Sequence, residues 1–175
     1  MEITDPLEVR DRAEWRAWLQ DNAATRSEVW LVSWRVHTGR SSVSYSDAVE
    51  EALCFGWIDS TRKTIDSERY AQRYTPRRPG SGYSQTNRER LAQLSQRGLL
   101  TPRIEAQLAR NRPEEYQIPD DILGALRTVP GAWDFFRSTP PAYQRIRAAY
   151  VDHARARPEE FAKRLANLVR RSERS

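Results

Sequence analysis

The chain has 175 residues, 38% of them apolar, with six Trp and seven Tyr. That length suits one substantial core or two small units, and the aromatic residues supply enough buried area for a folded rather than a disordered protein. The net charge is +5, no apolar run approaches the roughly 18 residues of a membrane helix, and the acidic opening Met1–Asp5 is unlike a secretory leader, so a cytoplasmic protein without a membrane span is expected.

In chain order, Leu7 to Arg10 alternates. Asp11, with Glu14 three residues on, forms a capping box that opens a helix to about Asn22, with Trp15, Trp18 and Leu19 on one face. From Glu28 to Val36 the period is two: Trp30, Val32, Trp34 and Val36 share one side and Val29, Leu31, Ser33 and Arg35 the other, the pattern of a central strand. His37 to Val43, with Gly39 and several hydroxyl residues, reads as a loop. Ser44 is the next N-cap, Tyr45, Ala48, Val49, Ala52 and Leu53 follow at helical spacing, and Gly56 is the left-handed stop. Trp57–Ile65 and Arg69–Thr75 form a hairpin about the turn residues Asp66–Glu68.

Pro76 to Tyr83 contains Pro79, Gly80 and Gly82 and is an irregular connection. Ser84 caps a helix to about Arg97 that Gly98 stops. Strand signals end there. Thr101–Pro102 opens a short helix to about Arg110, Arg112–Gln117 is a polar linker, and Ile118–Pro119 opens a helix that Pro130–Gly131 breaks. A short aromatic helix carries Trp133, Phe135 and Phe136, a longer one starts at Thr139–Pro140, and Pro158 begins the last, with Phe161, Leu165, Leu168 and Val169 inward. The expected fold is α+β: a small antiparallel sheet with flanking helices over about residues 1–98, followed by an all-helical domain over 99–175 packed on it.

Charge is unevenly spread. Residues 1–60 hold 6 basic and 11 acidic side chains, 61–100 hold 9 and 3, 101–140 hold 5 and 6, and 141–175 hold 9 and 4. Either the basic segments are solvated surface, or they face an anionic ligand or an acidic partner. Almost all the cations are Arg, which a codon bias would also produce.

Two dense runs carry a family resemblance. Tyr45, Ala48 to Asp59, then Arg73 to Pro79, Ser81, Ser84 and Asn87 resemble the bacterial bacteriocin-protection family, also called YdeI/OmpD-associated proteins. The resemblance spans roughly residues 10–105, and the helical end is similar to that family's C-terminal helical domain. Tyr83 stands where the family usually has Trp, and Arg155–Pro158 is one residue longer than the usual basic segment. The resemblance implies protection against bacteriocins or related stress; it brings no catalytic residues and no membrane anchor.

The sharpest local pattern is the corner from Arg73 to Asn87. Arg77 and Arg78 follow a strand, Ser81 and Ser84 precede a helix start with free backbone N–H groups, and together these would hold a phosphate or carboxylate. Trp57, Asp59, Arg73, Thr75, Tyr83 and Asn87 complete the candidate ligand-binding set. In the plainer reading Ser84 only caps its helix, the prolines stiffen a turn, and the arginines pair with Asp59, Asp66 or a buried carbonyl. Asp59 is either a clamp for Arg73 or Arg77 or a carboxylate with a raised pKa. Cys54, the single cysteine, excludes a disulfide framework and a cysteine-based zinc site, and near a helix C-terminus it reads as a packing residue. His37 and His153 lack the clustered acids or cysteines of a metal centre, so no metal and no cofactor are expected.

The leading expectation is a stress or defence protein that binds rather than catalyses, with an anion-accepting pocket near Arg77, Arg78 and Ser84. A nucleic-acid binder using residues 61–100 and the basic C-terminal helices is the alternative, and an enzyme acting on a small anionic metabolite the third. No pattern in the chain fixes the oligomeric state.

Overall fold

A computed structural model describes residues 2–78, 80–111 and 114–174. Pro79, expected to stiffen the connection after the hairpin, and Arg112, expected to start the linker, lie outside the described residues. The chain divides into two compact units, Met1–Gly82 with Arg90–Arg112, and Tyr83–Glu89 with Pro113–Ser175.

The first unit is built on four strands: β1 (Pro6–Glu8), β2 (Val29–Trp34), β3 (Trp57–Thr64) and β4 (Arg69–Pro76). Their order is β1-β2-β4-β3. β2 and β3 both pair antiparallel to β4, as the hairpin pattern requires. The sheet is nevertheless mixed, because β1 runs parallel to β2 with Leu7 opposite Leu31. A parallel neighbour needs a crossover between the two strands, and α1 (Arg12–Asn22) supplies it. At the other edge, β3 is irregular between Asp59 and Arg62 and carries Arg62 and Lys63, which discourage pairing with another chain.

The register sorts the side chains into two faces. Val29, Tyr74 and Asp59 are partners across β2, β4 and β3 and share one face, while Trp30 and Arg73 share the other. Trp30, Val32 and Ala71 form a buried cluster on that second face, with Ile3 against it. On the first face Trp15 stacks on Trp18 at 5.3 Å and meets Tyr74 at 5.4 Å, and Trp18 meets Trp57 edge-on at 6.0 Å. These offset and tilted contacts are the favoured aromatic geometries, so the tryptophans that lower the need for aliphatic residues also order the core.

The helices begin where their caps stand. The Asp11 carboxylate accepts from the Glu14 N–H at 2.9 Å, and the Ser44 hydroxyl, capping α2 (Tyr45–Cys54), accepts from the Asp47 N–H at 3.1 Å. Gly56 ends α2 at φ +78°, and the last carbonyls of that helix are taken up from outside it. Thr101 Oγ1 donates to the Cys54 carbonyl at 2.9 Å, and Arg103, on α4 (Pro102–Arg110), donates to the Phe55 carbonyl at 2.6 Å. α3 (Gln85–Gln96) contributes buried Leu91 and Leu94 to this unit, while its first turn belongs to the second.

The second unit is helical: α5 (Asp120–Arg127), α6 (Pro130–Ser138), α7 (Pro141–Asp152) and α8 (Pro158–Glu173). Pro130, Pro141 and Pro158 each open a helix, where a missing N–H leaves no bond unmade. Ile122, Leu126, Phe136, Val151 and Leu168 form its buried core. The Glu89 carboxylate receives Arg145 Nε at 2.6 Å and Nη2 at 2.8 Å, a bidentate pair that ties the start of α3 to α7 within this unit. Among the described residues no helix is long and apolar enough to cross a membrane.

Candidate functional site

The ten residues of the expected ligand set fall into four places. Trp57 and Asp59 lie on the first face of the sheet, and Arg73 and Thr75 on the opposite one, since Thr75 pairs with Ile58 and Arg73 with Trp30. Arg77, Arg78 and Ser81 lie in the connection after β4. Tyr83, Ser84 and Asn87 belong to the second unit.

Trp57 is fully buried and its indole N–H donates to the Ala23 carbonyl at 3.1 Å. Asp59 has a phenol as a hydrogen-bond partner. Its Oδ2 accepts from the Tyr45 hydroxyl at 2.7 Å, while Arg73 binds Glu28, with Nε at 3.0 Å, and holds the Glu28 carboxyl below its usual value. Burial first, and then the hydrogen bond to Asp59, push the Tyr45 hydroxyl up to about 12. Burial and then the Asp59 charge raise buried Tyr74, with the Arg90 charge opposing. Both phenols therefore stay protonated at neutral pH, as donors rather than bases.

At the arginine corner one guanidinium is turned inward. Arg77 Nη2 donates to the Ser81 carbonyl at 2.7 Å, to the Ser81 hydroxyl at 3.1 Å and to the Gly82 carbonyl at 2.9 Å. Its backbone N–H donates to the Gly56 carbonyl at 2.9 Å. Arg77 thus shapes its own loop. Ser81 also donates to the Arg78 carbonyl at 2.8 Å, and the Ser84 hydroxyl accepts from the Asn87 N–H at 3.4 Å.

A second charged cluster joins α1 to α2. Glu51, 2% exposed, receives Arg12 Nε at 2.6 Å and Arg16 Nη1 at 2.6 Å. Arg12 reaches Asp47 and Glu50 as well, and Arg16 donates to the Leu99 carbonyl at 2.8 Å. Cys54 is buried beside this cluster. Burial, and secondarily the Glu51 charge, push its thiol up to about 11, so it is a packing residue and not a nucleophile. The cluster's charges are largely paired with one another, although Arg12 Nη2 is buried without a hydrogen-bond partner among the described residues.

A set of donors around a cavity lies in the second unit, in a groove of about 310 Å³ between α7 and α8. From α7 come Arg147, Tyr150 and Val151, one helical turn apart. From α8 come Glu160, Lys163 and Arg164, then Asn167, Leu168 and Arg171, a stripe that repeats at three and four residues. Four cations face one carboxylate. That carboxylate, Glu160, is held by Arg164 Nε at 2.7 Å, and Arg164 Nη1 donates to the Tyr150 carbonyl at 2.9 Å. The Asn167 side-chain carbonyl accepts from Arg170, which leaves its amide as a donor. Arg147 Nε is buried and donates to nothing among the described residues. A buried, charged donor without an acceptor is costly unless a ligand or water supplies one.

The expected set left this groove out, although the α8 stripe and Arg147 with Tyr150 are visible as helical spacing once both helices are placed. Among the described residues no group of three His, Cys, Asp or Glu side chains is placed to hold a metal ion.

Residues 7–107 match a family described as a domain of unknown function (DUF8412), and residues 115–175 match the family described as bacteriocin-protection, YdeI or OmpD-associated. The bacteriocin-protection match thus falls on the helical end, and the stretch with the two dense motif runs falls in the other family. Neither a curated protein nor a solved structure matches the chain. The chain belongs to the domain family of unknown function that its residues 7–107 match.

Proposed function

We propose that this member of the unknown-function domain family is a stress or defence protein of the bacteriocin-protection type, and that it acts by binding an anion rather than by catalysis. The reading rests on the match of residues 115–175 together with the groove that the same residues build. The observation that carries it is the groove lining itself, in which four cations, Arg147, Lys163, Arg164 and Arg171, stand with one carboxylate, Glu160. A phosphate or carboxylate would be met there by the Arg147 guanidinium, Lys163 Nζ and the Asn167 amide as donors. The anion-accepting role thereby moves from the Arg77 corner, whose guanidinium closes its own loop, to α7 and α8.

The test is a titration of the isotope-labelled protein with inorganic phosphate at low salt, followed through its backbone amides. Shifts centred on residues 147–171 that weaken as salt rises are expected. Shifts centred on the Arg77 loop, or none in α7 and α8, would overturn the assignment.

A further inference from the structure

The groove is larger than a bare anion needs. At about 310 Å³ it sits at the lower end of small-molecule sites, and it would hold on the order of ten waters at about 30 Å³ each, so a five-atom phosphate fills only part of it. The remainder has a definite chemistry. The Arg164 guanidinium lies over the Tyr150 ring at 4.1 Å from its centroid and is fixed there by Glu160 and by the Tyr150 carbonyl. Tyr150 is nonetheless 53% exposed. One face of the ring is therefore backed by a cation, and with about half of the residue exposed a planar group has room to stack against the ring.

We infer that the groove takes a phosphate monoester of nucleotide size that carries an aromatic base, its phosphate on Arg147 and Lys163 and its base stacked on Tyr150. This rests on the anion-binding reading above. Three features favour it over a bare anion: the spare volume, a donor-rich wall suited to an acceptor-only group, and a π platform already held in place before the ligand arrives. The cation behind Tyr150 is part of that platform, so the ring needs no rearrangement to receive a base.

The experiment compares three probes by calorimetry at one low salt concentration: inorganic phosphate, ribose 5-phosphate and adenosine 5′-monophosphate. The adenosine compound is expected to bind about tenfold tighter than ribose 5-phosphate, the gain one stacked base typically brings. Tyr150→Leu should erase that difference, so that the two ribose compounds bind the variant equally. Tyr150→Phe should keep it, which separates stacking from a fault in folding. Equal binding of the two ribose compounds to the natural protein, or an adenosine advantage that survives Tyr150→Leu, would overturn the stacking inference while leaving the anion site standing. Failure of all three probes to bind would overturn both.

Discussion

Arg12 Nε donates to Glu51 Oε1 at 2.6 Å across 39 positions of the chain. With Arg16 on the other oxygen, Glu51 is a buried carboxylate whose two partners come from one face of α1. Removing it leaves two partly buried guanidinium groups without the one carboxylate they share. Glu51→Ala is therefore expected to cost about 3–5 kcal/mol in urea unfolding, whereas Glu50→Ala, on the more exposed arm of the same cluster, should cost about 1 kcal/mol or less.

Gly56 and Gly98 both stand at positive φ, +78° and +64°, but their surroundings differ. A Cβ on Gly56 would lie 2.8 Å from Ile104 Cδ1 and 3.2 Å from Arg103 Nη2, and one on Gly98 would meet nothing within 4 Å. Gly98→Ala should carry only the backbone strain, roughly 1 kcal/mol, and Gly56→Ala that strain plus an overpacking term of about 1–3 kcal/mol. Denaturation midpoints of the two variants, measured side by side, check the order.

The Glu89–Arg145 pair gives the second unit an acid limb. Arg145 holds the Glu89 carboxyl below its usual value through their hydrogen bonds, against an opposing effect of burial. A lowered folded value means that the stabilisation is fully present above the ordinary glutamate range, near pH 4.3, and is lost as pH falls through the folded value. Glu89→Gln should cost about 1.5–3 kcal/mol at neutral pH, and the gap to the natural protein should narrow below about pH 4. A gap that stays constant down to low pH would contradict the pairing.

Cys54 should report the integrity of the first unit. Its thiol is raised to about 11, so the folded protein is expected to resist a thiol reagent at pH 8 and to react fully in urea. Because the fold holds this proton more tightly than the unfolded chain does, its contribution is intact below the ordinary thiol value, about 8.5, and declines as pH rises toward the folded one. Rapid labelling of the native protein at pH 8 would contradict the burial.

Elements that depend on neighbouring residues were legible in the sequence. Asp11 and Ser44 declare their helices through cap chemistry, Trp30 to Trp34 declare β2 through alternation, and Pro158 declares the start of α8. Features that depend on distant residues were not. The parallel pairing of Leu7 with Leu31 follows from how α1 crosses over the sheet, and a three-residue strand carries too little pattern to announce its direction. The dispersal of the candidate residues was hidden for a related reason. Arg73, Arg77 and Asp59 are close in sequence and look convergent, but strand alternation sends Asp59 and Arg73 to opposite faces, and nearby carbonyls claim Arg77. Arg147 and Lys163 are ordinary helical cations until packing brings α7 and α8 together and leaves Arg147 Nε without an acceptor.

The most direct measurement on the anion site is the affinity of ribose 5-phosphate for the natural protein and for Arg147→Gln, by calorimetry at the same salt. Arg147 is partly buried and its Nε has no internal partner to lose, so the variant should melt within a few degrees of the natural protein. A loss of about tenfold or more in affinity is expected, the scale of one charge-assisted hydrogen bond. Equal affinity in the two proteins would contradict the assignment of the groove as the anion-binding site.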